Sequence, residues 1–223
     1  MNDQLDRTRF LNLGGIVEGG VLLLALGLAW WADIDLKQLF SLDWKSAALG
    51  LIGTAPMLLF LLALRRARIP SLERIDRFLV DNLGPPLAAC RWYDLFLLAL
   101  AAGLCEEVLF RGVLQTWMGR HSFLTGLILA NLLFGLAHLV TPAYGVMAAL
   151  LGVYLSLLMQ ATQPPSLLAP VIAHSLYDLV AFVVIARDYQ QRTRDAPADF
   201  EQSPSADEPD PPTDESDDES VRS

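Results

Sequence analysis

DLFLLALAAGLCEEVLFRGVLQTWM, residues 94–118, decides how this chain is read. The stretch is long and apolar enough to cross a bilayer, which takes about 20 residues. Glu106, Glu107 and Arg111 nevertheless stand in its middle. A charged side chain at bilayer depth costs from roughly 2.5 to above 10 kcal/mol, so such residues are rare and mark function. Two more apolar stretches carry the same anomaly, Phe134-Gly-Leu-Ala-His138 and His174-Ser-Leu-Tyr-Asp178. Polar motifs on three hydrophobic helices point to one shared site.

Working outward, five further stretches can span: 11–32, 46–64, 123–140, 144–161 and 166–186. The expectation is an all-α, polytopic membrane helix bundle of about six transmembrane helices. Of the 223 residues 53% are hydrophobic, and the mean hydropathy of +0.39 exceeds that of a soluble domain. Trp30, Trp31, Trp44, Trp92 and Tyr93 lie at segment ends, where interfacial aromatics collect. The first stretch is too long for the apolar core of a signal peptide and contains Glu18, so it reads as a retained span.

The formal net charge of −9 comes from one end. Residues 195–223 hold eleven Asp and Glu against one Arg, a net of −10, which leaves residues 1–194 near +1. The expected division is a membrane domain over 1–190, with its motif core at 94–186, and a disordered acidic tail over 191–223. No basic surface suggests nucleic acid; the partners expected are the lipid bilayer and a membrane-associated peptide or protein. Arginines crowd residues 65–91, the N-terminus and the end of the last span, whereas 33–45 holds only Lys37 and Lys45. By the positive-inside rule both termini face the cytoplasm, and the chain reads as a bacterial inner-membrane protein. Between the arginines, Leu72, Ile75, Phe78, Leu79 and Leu83 recur at helical spacing until Pro85-Pro86, which predicts an interfacial amphipathic helix ending there.

Residues four apart share a helix face. Glu107 therefore pairs with Arg111, while Glu106 points about 100° away and is free to act on water. His174 and Asp178 present two polar groups to one point, and Phe134 shares a face with His138. Such a set can hold water and polarise a carbonyl. Glu106, His138, His174 and Asp178 can equally ligate one Zn²⁺ or another divalent metal, and spacing does not choose between these readings. Cys105, in apolar surroundings, reads as packing, and with Cys90 beside a basic loop the two make no disulfide framework. His121 reads as surface, and Glu18 as packing or support for the site.

In this order the motifs resemble the CPBP family of intramembrane proteases, named for CaaX processing and bacteriocin-related proteins. Its pattern is Glu-Glu-x-x-x-Arg, Phe-x-x-x-His and His-x-x-x-Asn/Asp on successive helices, and all three are complete here. The resemblance implies an endopeptidase that hydrolyses peptide bonds in the membrane with a glutamate-activated water. Carried over by position, it implies Glu106 as general base and His138 as holder of the water. His174 and Asp178 would steady the oxyanion, and Glu107 with Arg111 would fix the catalytic helix. The family has been described both as metalloprotease and as glutamate-type. This chain has Asp178 where the eukaryotic CaaX proteases have Asn, and nothing in it supports prenyl specificity.

Two rival classes share these features: a membrane scaffold or maturation factor that cleaves nothing, and a proton-coupled transporter. Transporter folds often carry internal repeats, which are absent here. One geometric condition is strict. His138 lies close to Pro142, near the apparent end of its span, so its helix must end inside the protein for His138 to reach Glu106.

Overall fold

The computed structural model describes residues 2–67 and 69–195. Among these residues every regular element is helical. Helix α1 is Asn2–Trp31, α2 Trp44–Arg66, α3 Pro70–Ala89 and α4 Trp92–Glu107. A π-helical segment, Val108–Gln115, carries α4 on into the short α5, Thr116–Met118. Then come α6, Phe123–Ala137, α7, Pro142–Gln160, and α8, Leu168–Asp195. From residue 196 onward the expected acidic tail lies outside the described residues, and residues 191–195 belong to α8.

Among the described residues four helices are long and apolar enough to cross a membrane: Arg7–Trp31, Trp44–Arg66, Pro142–Gln160 and Leu168–Asp195. α6 is apolar but only 15 residues long. Large hydrophobic side chains cover the outside, with Ile16, Leu23, Ile52 and Trp30 each more than two-thirds exposed. A soluble monomer does not carry apolar surface on that scale. The fold is that of an integral membrane protein.

Helix α8 is the hub, packing against α2, α3, α4 and α7. Three buried clusters surround it. Val108, Phe110, Phe134 and Val171 join the π segment to α6 and α8. Met57, Leu155, Leu158 and Ala173 join α2, α7 and α8, and Val80, Leu87, Leu95 and Ile185 join α3, α4 and α8. Small residues allow the closest approach. A Cβ on Gly103 of α4 would stand 2.8 Å from the Ser175 amide nitrogen of α8, so these two backbones are nearly in contact.

Local chemistry sets the helix ends. The Asp43 carboxylate caps α2 by accepting the amide protons of Lys45 and Ser46, at 2.9 and 3.0 Å. Thr141 caps α7, its hydroxyl accepting the Tyr144 amide at 3.1 Å, and Pro142 fills the first helical position, where no amide is needed. Arg7 forks onto Asp94 at 2.6 and 2.7 Å, tying α1 to the start of α4. Counted only as a topology signal in the sequence, Arg7 is a structural clamp.

Two expectations need correction. Pro85 and Pro86 do not end α3, which runs on to Ala89. Tyr189 of α8 packs directly over Gly84, and Leu87 is buried, so tertiary packing carries the last turn through prolines that an isolated helix would not tolerate. The stretch 94–118 is helical throughout, but eight of its residues are wound as π rather than α. π turns are rare and occur mostly at functional sites.

Candidate active site

Each motif arrives on a different element. Glu106 and Glu107 end α4, where the winding changes to π. His138 is the residue that terminates α6, with φ −100° and ψ 18°. His174 and Asp178 lie on successive turns of α8. The near-contact of Gly103 with Ser175 brings the carboxylate turn of α4 against the His174 turn of α8.

The side chains converge. Glu106 Oε2 lies 3.8 Å from His138 Nε2 and 3.9 Å from His174 Nε2. Asp178 Oδ2 lies 3.5 Å from the same His174 nitrogen. The two Glu106 distances are too long for direct hydrogen bonds and short enough for one water to touch both partners. Glu106 Oε2 is buried and makes no hydrogen bond to the described residues. The condition on His138 is met because α6 stops at Ala137 and turns at Thr141-Pro142.

Both imidazoles are oriented from behind. His138 Nδ1 sits 2.9 Å from the Phe134 carbonyl; a carbonyl only accepts, so Nδ1 carries the proton and Nε2 faces Glu106. His174 Nδ1 lies 2.9 Å from Glu107 Oε1 and donates to it, which turns His174 Nε2 toward Glu106 and Asp178. Glu107 also takes Arg111 at 2.8 Å, and both are fully buried. A buried ion pair needs further bonds to its remaining atoms, and here they are partial: Glu107 Oε2 and Arg111 Nε have no hydrogen-bond partner among the described residues. Arg111 Nη2 continues to Asn131 Oδ1 at 3.3 Å, and Asn131 Nδ2 to Ser156 Oγ at 2.9 Å. The Phe134 ring covers the guanidinium, 4.4 Å from Arg111 Cζ to its centroid, and lies 4.4 Å from the His138 ring at a 40° tilt.

The pairing of Glu107 with Arg111, and the divergence of Glu106 from it, follow the helical spacing. Glu107 has a second task that spacing does not show, since it also holds His174. Asn131 and Ser156 are absent from the sequence reading. The signal was there: Asn131 is the one polar side chain between Gly126 and Gly135 in an otherwise apolar run. Glu18 of α1 has a buried Oε2 with no hydrogen bond among the described residues. Cys105 is buried and Cys90 partly so, both as free thiols, and His121 is exposed.

The metal alternative can be tested on the donors. Neighbouring ligands of a tetrahedral zinc with bonds near 2.05 Å stand about 3.4 Å apart. The separations here are 3.5, 3.8 and 3.9 Å, and among the described residues no group of three His, Cys, Asp or Glu side chains is disposed to hold a metal ion. The spacings exceed the zinc value by only about 0.1–0.5 Å, so Glu106, His138, His174 and Asp178 are also donors that one divalent metal could draw together. They can hold a water between an acid and two imidazoles, beside a second acid.

Comparison with known proteins agrees with these elements. No curated protein and no solved structure matches the chain. The family model for Rce1-like proteins, described as type II CAAX prenyl endopeptidase Rce1-like, matches residues 88–180, an interval that contains all three motifs. The match supports hydrolase activity of the intramembrane-protease type, and a CAAX-protease-like domain of the CPBP superfamily is present over residues 88–180 of this chain.

Proposed function

We propose that the chain is an intramembrane endopeptidase that hydrolyses a peptide bond of a membrane-associated protein or peptide with a water activated by Glu106. The observation that carries this reading is the convergence of Glu106 Oε2 with two imidazole nitrogens at 3.8 and 3.9 Å. In the proposed step a water gives one proton to Glu106 and a hydrogen bond to His138 Nε2, which aims its lone pair at the scissile carbonyl carbon. The carbon–oxygen bond forms as the carbonyl becomes an oxyanion. Doubly protonated His174 donates to that oxyanion from Nε2, and protonated Asp178 donates beside it. The intermediate collapses, the carbon–nitrogen bond breaks, and Glu106 returns its proton to the departing amine. Products are a new carboxyl end and a new amino end. Glu107 and Arg111 hold His174 and the π segment in register, and no step calls for a metal.

For topology we propose six crossings. Trp92–Met118 is one continuous span containing the π segment, Phe123–Ala137 is a short one, and both termini face the cytoplasm. An acidic tail after the end of α8 belongs to the same proposal.

The test is purified protein in detergent with labelled single-span peptides. Glu106→Gln and His138→Ala should each abolish cleavage while leaving a monodisperse protein, and chelator should not inhibit. Cleavage at the wild-type rate by Glu106→Gln would remove the proposed base. Loss of activity on chelation, restored by one metal, would replace the glutamate mechanism with a metal one.

A further inference from the structure

A half-open cavity of about 150 Å³ lies between α2, α3, α7 and α8, lined at one end by Asp178 with Tyr144 and Tyr177. That end adjoins the site: Asp178 Oδ2 is 3.5 Å from His174 Nε2, and the Tyr144 ring is 6.3 Å from the His138 ring. From there the cavity follows α8 from Tyr177 to Ile185, about 12 Å at 1.5 Å per residue. Its walls are apolar, with Leu61, Ile75, Leu79, Met147, Ala181 and Phe182 among them. The outer end reaches Arg65 and Asp76, where Arg65 pairs with Asp76 at 2.8 Å and with Asp188, so ion pairs hold α3 over the space.

We propose that this cavity is a specificity subsite that takes one bulky apolar side chain, of leucine or phenylalanine size, next to the bond cleaved; the proposal rests on the endopeptidase reading above. Three observations choose the occupant. The only reacting group it meets is Asp178, so whatever fills it hangs from the chain whose carbonyl lies over Glu106, His138 and His174. Between Asp178 and Arg65 the walls offer almost no hydrogen bonds, and burying a polar group there would be costly. The volume matches a benzene-sized guest, since a dry apolar cavity of about 150 Å³ binds benzene. A fifteen-carbon prenyl chain, with more than twice the carbons of benzene, exceeds this volume and would have to protrude through the open side. The occupant is an apolar side chain rather than the lipid named in the matching family's description.

Binding is measured without turnover in the Glu106→Gln protein, by fluorescence anisotropy in detergent. The probes are labelled single-span peptides that differ at one central position: Gly, Leu, Phe or S-farnesyl-Cys. Leu and Phe should bind about 10- to 100-fold more tightly than Gly, the range for burying one such side chain, and farnesyl-Cys no more tightly than Leu. Ala181→Phe, which fills the cavity, should reduce the Phe-to-Gly ratio to about twofold. Phe182→Ala, which enlarges it, should move the preference toward larger side chains and covers the case in which Ala181→Phe does not fold. Equal affinity for Gly and Phe, or a ratio unchanged in either folded variant, overturns the subsite, as does a farnesyl preference that Ala181→Phe removes. If Glu106→Gln discriminates but the wild type hydrolyses none of the peptides, the subsite stands and the endopeptidase reading fails. If the wild type hydrolyses all of them alike and affinities are equal, the subsite fails and the endopeptidase reading stands.

Discussion

Gly103→Ala tests whether the approach of α4 to α8 builds the site. The new Cβ would meet Ser175 Oγ at 2.2 Å, Ser175 N at 2.8 Å and Ser175 Cα at 3.1 Å. The hydroxyl can rotate aside, but the amide nitrogen is part of the α8 backbone. Ordinary contact begins near 3.4 Å, so α8 must retreat by about 0.6 Å at a residue adjoining His174. The 2.9 Å bond from His174 Nδ1 to Glu107 Oε1 then stretches to about 3.5 Å, beyond hydrogen-bond length. Overpacking costs about 1–3 kcal/mol and loss of a hydrogen bond to a charged group about 1.5–3 kcal/mol. Alanine returns roughly 1 kcal/mol of helix propensity. If the hydrogen-bond loss falls on the transition state, kcat drops about 10- to 160-fold. Peptide cleavage and thermal unfolding, both in detergent, read the two effects. Wild-type kcat together with wild-type melting would refute the reasoning. The double variant with Ser175→Ala should recover little, because the amide nitrogen remains; full recovery would put the obstacle in the hydroxyl.

Asn131→Leu removes the acceptor of Arg111 Nη2 and the donor to Ser156, and should lower kcat about tenfold with KM nearly constant; steady-state kinetics showing only a KM change would exclude a positioning role. Glu107→Gln strips the charge facing a fully buried Arg111, a change that costs about 3–5 kcal/mol. Folded yield by size-exclusion chromatography should fall well below that of Glu106→Gln, and equal yields would count against it. Asp43 responds to acid: the Ser46 amide and hydroxyl, with the Lys45 amide, hold its carboxyl at about 2 rather than 3.8. Because the folded value is depressed, its cap stabilises α2 fully above about pH 4 and is lost as pH falls through about 2. Wild type should therefore lose melting temperature across that window more steeply than Asp43→Asn, and parallel curves would contradict this.

The site was unusually legible because its residues contradict their surroundings. In a soluble domain a Glu-Glu pair or a His four residues before an Asp would pass unnoticed; in apolar stretches each is a deviation with an energetic cost. The position of His138 could also be reasoned out, since Pro142 requires a helix end at the depth where a polar side chain is needed. The π winding of Val108–Gln115 was not readable, because it depends on contacts that pack Phe110 and Arg111 against α6. The same holds for Pro85 and Pro86, where Tyr189 arrives from more than a hundred residues away. Asn131 is the instructive omission: one polar residue in an apolar run reads as tolerated noise until the arginine it faces is seen.

The shortness of α6 bears on where such a protein can work. Fifteen residues at 1.5 Å reach about 22 Å, some 8 Å less than a typical hydrocarbon layer. On the six-crossing proposal, acyl chains beside this helix would compress and its His138 end would lie below the headgroups, giving solvent a route toward the carboxylate. Hydrophobic mismatch of this kind costs a fraction of a kcal/mol per ångström. On that proposal host lipid length is a variable of the reaction: short-chain bilayers would keep the water path open, and thick ones would press it shut.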